Sequence, residues 1–192
     1  MHYTPKTFDI PELVGISRAT IDEHIGLYNG YVKHTNLISE KITAYSNDLE
    51  SNGYAIGEMQ RRLGFEFGGM RNHEYYFTQF EGGAQAMPEG KFQNLIEASF
   101  GSVEAWQDRF TKIAMTRGVG WAMLYIDRRT NQLVQTWVDE QHLGQLADLD
   151  IILALDMWEH SYMLDYPPSK KKEYIDAFFR NLNWEVVAAR VI

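Results

Sequence analysis

The chain has 192 residues, enough for one domain or two small ones, and its 45% hydrophobic and 23% charged residues are ordinary globular usage. Lys and Arg number 18 against 26 Asp and Glu, so the formal net charge is −8, and nucleic acid and anionic membranes are poor partners. The chain has no cysteine, which excludes disulfides, iron–sulfur clusters and thiolate metal sites. Any metal must therefore be bound through nitrogen and oxygen.

The N-terminal sequence lacks the basic region and apolar stretch that are typical of a secretory signal. No apolar run approaches the roughly 20 residues that a membrane-spanning helix needs. The sequence therefore predicts a cytoplasmic protein with no membrane partner.

The first half of the chain is predicted to form two long helices. Ser17 is placed to cap a helix that runs to about Ser46, in which apolar residues recur with helical spacing. After a polar turn at residues 46–53, a second helix is predicted from Tyr54 to about Phe80. Two long helices joined by a short turn make a helical hairpin.

The second half of the chain changes its pattern after a segment rich in Gly and Pro, residues 81–90. The segment marks a boundary between an N-terminal helical hairpin domain, residues 1–86, and a C-terminal domain, residues 87–192. In the C-terminal domain the patterns predict two short helices at residues 91–100 and 102–117 and a β-hairpin with strands at 119–127 and 132–139. A buried third strand at 149–158 and a final helix at 169–190 are predicted to follow. Helices followed by strands and a helix predict an α+β fold.

The candidate chemistry begins with Asp156, at the end of the predicted buried strand, and His160, four residues later. A buried carboxylate needs compensation, which a metal ion would supply, although an Asp that caps the next helix and a core His explain the pair as well. His24 lies on the apolar face of the first helix, with Tyr28 and Tyr31 at i+4 and i+7. Taken alone, it is compatible with an ordinary core histidine, as is His73.

Imidazoles and one carboxylate are suitable ligands for iron or manganese, and three nitrogens with one oxygen leave a coordination position for water or substrate. A wider pattern supports such a site. The sequence DMWEHSY at residues 156–162 resembles the D-x-W-E-H-A-Y signature of the iron/manganese superoxide dismutase family. Four further segments resemble that family in the right order: ISRATIDEH ending at His24, Asn72-His73 with Tyr76, GVGW ending at Trp121, and LNWE at residues 182–185.

The resemblance implies one iron or manganese ion bound by His24, His73, Asp156 and His160. It implies a fold with an N-terminal long α-helical hairpin, a C-terminal α/β domain with a three-stranded antiparallel sheet, and the metal site between them. The implied reaction is dismutation of superoxide to oxygen and hydrogen peroxide.

The resemblance also implies residues around the ligands. In the manganese-type arrangement, a glutamine from the second half of the chain bonds the metal-bound solvent, and a glycine precedes the second ligand by four residues. Gln141 and Gly69 match those positions, which favours manganese, while the neighbouring His142 could occupy the glutamine position and leaves iron open. Trp121 and Trp158 would enclose the site.

A homodimer is implied by Glu159, which in the family reaches the ligand histidine of the partner subunit, with Tyr162 at the same interface. The family's pattern of gateway residues, which line the access funnel to the metal, is altered in this chain. Tyr28 stands where the gateway histidine would be, Tyr31 replaces the gateway tyrosine, and Met163 replaces the tyrosine that pairs with that histidine.

Leu27 stands at the position beside the gateway where the family usually has a lysine. Attraction of the anionic substrate is therefore expected from Lys33 or from residues 170–172.

An active superoxide dismutase is the leading hypothesis. The altered gateway favours the alternative, a metal-binding dimeric homologue with little dismutase activity. A non-haem iron oxygenase is disfavoured because that chemistry usually uses two histidines and one carboxylate. A metal-free interaction module would require the ordered set of motifs to be coincidence.

Overall fold

A computed structural model describes residues 2–191 and contains an α+β fold with a helical hairpin followed by helices and a sheet. The elements are α1 (Arg18–Tyr45), α2 (Leu49–Thr78), α3 (Lys91–Phe100), α4 (Val103–Ala114), β1 (Gly120–Asp127), β2 (Gln132–Asp139), β3 (Asp150–Asp156), α5 (Lys171–Asn181) and α6 (Trp184–Ala189). Short 3-10 helices at Glu159–Ser161 and Pro168–Lys170 follow β3. The predicted fold class is confirmed.

The hairpin begins where the sequence predicts, because the Ser17 side chain accepts a hydrogen bond from the Thr20 backbone N–H at 3.2 Å. The prediction for α2 was wrong by five residues, since the helix begins at Leu49 rather than Tyr54. Asp48 caps this earlier start by accepting from the Ser51 N–H at 3.1 Å. The turn between the two helices is therefore only residues 46–48.

The two helices of the hairpin are buried only at the end that meets the rest of the chain. The buried residues of α1 lie between Thr20 and Asn36, and those of α2 lie between Glu66 and Phe77. Towards the turn the hairpin is exposed and carries ion pairs such as Arg61 with Glu58 at 2.8 Å. Within residues 2–191 no helix combines the length and apolar character needed to cross a membrane.

The predicted three-stranded antiparallel sheet is confirmed, with β1 in the centre of the order β2-β1-β3. β1 is buried along almost its whole length, as expected of a central strand covered on both faces. The register pairs Trp121 of β1 with Val138 of β2 and with Asp156 of β3. The sheet therefore brings Trp121 beside the end of β3.

The single C-terminal helix predicted for residues 169–190 is wrong, because Leu182 has an extended backbone (φ −64°, ψ 133°) that separates α5 from α6. Asn183 begins α6 by accepting from the backbone N–H groups of Glu185 and Val186, and its own N–H donates to the Gln79 carbonyl at 2.8 Å. α4 likewise ends at Ala114, before the predicted residue 117.

Candidate metal centre

The four predicted ligand side chains meet at one point in the fold. His24 comes from α1, His73 from α2, Asp156 from the end of β3, and His160 from the 3-10 helix that follows. One donor atom from each lies within 4.8 Å of the others, and all but His160 are fully buried. Since metal–imidazole bonds are about 2.0–2.1 Å long, donors at this spacing can face a single ion.

Asp156 lies at the centre of the cluster. Its Oδ2 atom is 3.1 Å from His24 Nε2, 3.2 Å from His160 Nε2 and 3.5 Å from His73 Nε2. Its other carboxylate oxygen, Oδ1, accepts a hydrogen bond from the Trp158 backbone N–H at 2.8 Å. That backbone bond fixes the carboxylate with one oxygen directed at the three imidazoles.

The ring orientation of His73 provides the clearest indication of a cation site. Its Nδ1 lies 2.6 Å from the Gly69 carbonyl oxygen, which can only accept, so Nδ1 carries the proton and Nε2 carries a lone pair. This Nε2 is buried and has no hydrogen-bond partner among residues 2–191. An unsatisfied buried nitrogen costs about 1–3 kcal/mol, and a metal ion would satisfy it. The residues present thus fit a bound metal.

Burial and mutual electrostatics set the charges of the cluster. Burial lowers the pKa of His24, against the opposing effect of its contact with Asp156, and burial lowers the pKa of His73 to about 3. Burial alone would raise the pKa of Asp156, but contacts with His160 and His24 outweigh it and hold that pKa well below its usual range. At neutral pH the cluster offers an ionised carboxylate and neutral His24 and His73, which are the ligand forms of these side chains.

A chain of hydrogen bonds beside the ligands joins Trp121, Gln141 and Tyr31. The Trp121 indole N–H donates to Gln141 Oε1 at 2.9 Å, and Gln141 Nε2 donates to the Tyr31 hydroxyl oxygen at 2.9 Å. An indole N–H can only donate, so the amide orientation of Gln141 is fixed. Tyr31 therefore accepts from Gln141 and retains its own O–H for another acceptor.

Tyr31 packs directly on the ligand cluster because position 69 has no side chain. Its ring centroid lies 5.0 Å from that of His73, and a Cβ atom at Gly69 would lie 2.5 Å from Tyr31 Cδ1. Burial raises the pKa of Tyr31 well above its usual value, and the charges of Asp156 and Glu66 add to that rise. The hydroxyl is therefore protonated at neutral pH.

Two amides that we did not single out in the sequence for this role hold the backbone of Gln141 in place. Asn72 Nδ2 donates to the Gln141 carbonyl at 2.9 Å, and Gln145 Nε2 donates to Asn72 Oδ1 at 2.8 Å. The same carbonyl lies against Gly68, where an added Cβ atom would clash with it. Asn72 could have been suspected from its place beside a ligand, whereas nothing in the sequence marks Gln145.

Two of the predicted catalytic residues are placed outside the cluster. His142 packs on α2, where its ring centroid lies 5.9 Å from that of Phe65, so Gln141 rather than His142 faces the ligands. Tyr28 is fully buried, and its hydroxyl accepts from the Lys6 backbone N–H at 2.9 Å and donates to Glu74 at 3.2 Å. The Tyr28 hydroxyl thus bonds to the N-terminal segment and α2.

The remaining predicted site residues lie around His160. The Trp158 ring stacks on His160 with centroids 5.8 Å apart and planes at 20°, and its indole N–H donates to the Glu140 carbonyl at 3.0 Å. Glu159 is exposed. Tyr162 is buried within the chain, with its ring 5.4 Å from that of Tyr174.

The comparison with protein families agrees with this geometry. Residues 88–190 match the model of the iron/manganese superoxide dismutases, C-terminal domain. The chain is 35% identical over 182 residues to the superoxide dismutase [Fe] of Cupriavidus metallidurans. The aligned region covers 93% of this chain and 90% of the relative. The chain belongs to the iron/manganese superoxide dismutase family. The resemblance inferred from the motifs is thus confirmed.

Relatives in this family are named for either metal. The superoxide dismutase [Fe] of Aquifex pyrophilus is 33% identical, over 93% of this chain and 85% of its own length. The superoxide dismutase [Mn] 2 of Haloferax volcanii is 35% identical, over 80% of this chain and 86% of its own length. Family membership alone therefore gives iron or manganese without a choice between them.

Proposed function

We propose that this protein is a superoxide dismutase that holds one iron or manganese ion at His24, His73, Asp156 and His160. The convergence of three imidazole nitrogens on one oxygen of Asp156 carries the proposal, together with the buried His73 Nε2, which has no hydrogen-bond partner in the part of the chain that the structure describes. The relatives named superoxide dismutase add support, because they align with most of the chain. They also favour an active enzyme over a metal-binding homologue that has lost activity.

In this reaction two superoxide anions and two protons become one molecule of oxygen and one of hydrogen peroxide. The bound metal supplies one-electron chemistry between its +3 and +2 states, by which one superoxide is oxidised and the next reduced. The protein supplies an enclosed pocket and protons. Trp121 and Trp158 cover the ligands and limit the access of water.

Tyr31 and Gln141 are the groups that we assign to proton delivery. The Tyr31 O–H is free to donate because its oxygen already accepts from Gln141. Gln141 is held in that orientation by the Trp121 N–H. The raised pKa of Tyr31 keeps this proton in place until a stronger base, such as reduced substrate, takes it.

Manganese is the metal that we favour. Two observations support this choice: the glutamine beside Tyr31 comes from the second half of the chain, and position 69 on α2 is a glycine whose space Tyr31 fills. Hydrogen bonds around a metal tune its reduction potential, so the source and placement of this glutamine bear on which metal is active.

We also propose a cytoplasmic homodimer in which Glu159 contacts the ligand histidine of the second copy. Glu159 is exposed beside His160, whose side chain is 20% exposed, so a second copy can reach both.

Domain boundaries at residues 1–86 and 87–192 are supported by the absence of α-helix and strand between Thr78 and Lys91. The cytoplasmic location is supported by the absence of disulfide-forming cysteines from the sequence, since disulfides are frequent in secreted proteins.

The test is to measure metal content and superoxide removal after the purified protein is loaded separately with iron and with manganese. We expect one ion per chain, rapid removal with manganese, and loss of both metal and activity in His160→Ala. His34→Ala changes an exposed histidine of α1 and is the matched control, with metal content and activity retained. A fully loaded protein that removes superoxide no faster than free metal would contradict the proposal and favour the inactive homologue.

A further inference from the structure

The exposed edge of the metal centre adjoins a positively charged side chain of α2. Phe65 touches two residues of this edge, with its ring centroid 6.0 Å from that of Tyr31 and 6.3 Å from that of Trp158. The guanidinium carbon of Arg62 lies over the Phe65 ring, 3.8 Å from its centroid. Arg62 is about half exposed, so its charge faces the solvent beside the edge.

Arg62 is paired with a carboxylate that is nearer the interior. Glu66 accepts from Arg62 Nε at 2.9 Å and from Nη2 at 2.8 Å, and its side chain is only 9% exposed. A guanidinium and a carboxylate act on an approaching anion with opposite signs. An unpaired carboxylate here would repel a small anion approaching Tyr31, and the guanidinium offsets that repulsion.

Two of the lysines considered in the sequence have ion-pair partners on their own segment. Lys170 pairs with Glu173 at 3.2 Å and Lys172 pairs with Asp176 at 2.9 Å, both within the segment that begins α5. Leu27 occupies the position where the family usually has a lysine. Arg62 has a packing contact, through Phe65, with the edge of the site.

We propose that Arg62 is the cation that attracts superoxide to this metal centre, and that Glu66 sets the strength of the attraction by holding and partly neutralising the guanidinium. This inference rests on the proposed dismutase function. Charges at the entrance of a site raise the encounter rate of an oppositely charged substrate, and the effect falls as salt screens them. The pair would therefore determine how fast superoxide arrives, without touching the reacting atoms.

The test uses two variants with opposite expected signs. In the manganese-loaded enzyme at low ionic strength, Arg62→Gln leaves Glu66 unpaired and lowers kcat/KM by about two- to threefold, the effect of one unit charge about 8 Å from the anion's path in water. Glu66→Gln keeps an acceptor for Arg62, frees its charge, and raises kcat/KM by a similar factor. Both differences shrink when the ionic strength exceeds about 0.5 M.

A matched control applies the same changes of charge at the far end of the sheet. Arg129 pairs with Asp148 beside the β1–β2 turn, and Asp127 lies six positions along β1 from Trp121, a distance of about 20 Å. Arg129→Gln and Asp148→Asn should leave kcat/KM and its salt dependence unchanged. A second readout is the affinity of the loaded proteins for azide, an inert small anion, which should weaken in Arg62→Gln and strengthen in Glu66→Gln.

The inference is overturned if the two variants shift kcat/KM in the same direction, or if neither changes the azide affinity or the salt dependence relative to the controls. Failure of the proposed function looks different. In that case the unmodified, metal-loaded protein would remove superoxide no faster than free metal, whatever the outcome with azide.

Discussion

Tyr31 occupies the space that a side chain at position 69 would fill. A Cβ atom there would lie 2.5 Å from the Tyr31 ring, which is closer than two non-bonded carbon atoms can approach. The ring in turn carries the hydroxyl that accepts from Gln141. At the scale of single residues, one missing methyl group on α2 therefore decides where the proposed proton donor stands.

Gly69→Ala is expected to displace the Tyr31 ring, to destabilise the protein by about 1–3 kcal/mol and to lower superoxide removal at least tenfold. Gly57→Ala is the control, since Gly57 lies in the same helix with nothing within 4 Å of an added Cβ, and it should stabilise by about 0.5–1 kcal/mol. Urea unfolding and activity measure both variants. Equal unfolding midpoints for the two would contradict the packing argument.

Gln145→Ala is expected to loosen the loop that carries Gln141, because it removes the bond to Asn72 that supports the Gln141 carbonyl. Gln145 is exposed, so the thermal midpoint should fall by no more than about 2–4 °C. The reduction potential of the bound metal should shift, and kcat should fall several-fold. Gln93→Ala removes a surface bond to Glu97 and is the control; identical potentials in both variants would refute the positioning role.

At the scale of elements, the N-terminal segment is attached to helices by side chains rather than by a strand or helix of its own. Asn36 exchanges two bonds of 2.8 Å with the backbone of Tyr3, and Asn181 exchanges bonds of 2.8 and 2.9 Å with the backbone of Val14. Between them the Tyr28 hydroxyl accepts from the Lys6 N–H at 2.9 Å. Tyr28 therefore connects this segment to α1.

Tyr28→Phe is expected to lower the free energy of unfolding by about 1–3 kcal/mol, because it removes the partner of the Lys6 N–H and a donor to Glu74. Superoxide removal should stay within about twofold of the unmodified protein, since the hydroxyl is bonded away from the ligands. Tyr45→Phe, at an exposed tyrosine of α1, is the control for stability. A tenfold loss of activity at unchanged stability would instead support the catalytic role inferred from the gateway pattern.

At the scale of the whole molecule, the ligand cluster joins elements that are far apart in the chain. His24 and His73 come from the hairpin, whereas Asp156 comes from the end of β3 and His160 from the 3-10 helix after it. Asp156 is buried and ionised, and its contacts with His24 and His73 cross between the two halves. A bound cation would therefore stabilise the packing of the hairpin against the sheet.

Removal of the metal by a chelator is expected to lower the thermal midpoint, because an ion that binds only the folded state stabilises it by about 2.7 kcal/mol at a free concentration one hundred times its Kd. Addition of manganese should restore the midpoint, and magnesium, which prefers oxygen ligands, should not. His160→Ala should respond much less to either treatment. A midpoint that is the same with and without metal would contradict the coupling of metal to fold.

The sequence by itself determined the family and most of the elements, because these depend on ordered motifs and local patterns, and the resemblance to that family implied the four candidate ligands. Asp156 and His160 stand in one heptapeptide, the caps and periodicity of α1 are local, and β-branched and aromatic residues mark the strands. Local patterns failed where tertiary contacts decide. The final helix is interrupted at Leu182, and Asn183 bonds to the Gln79 carbonyl more than a hundred residues earlier.

Only the tertiary structure decided which of two neighbouring residues faces the metal centre. The sequence favours Gln141 by its spacing but leaves the neighbouring His142 open. In the structure the Gln141 carbonyl packs on Gly68 and Asn72 of α2, which turns the Gln141 side chain inwards and His142 against Phe65. The direction of the Tyr28 hydroxyl was decided in the same way. Side-chain direction at such positions depends on close packing between segments distant in the chain, and that packing exists only in the folded molecule.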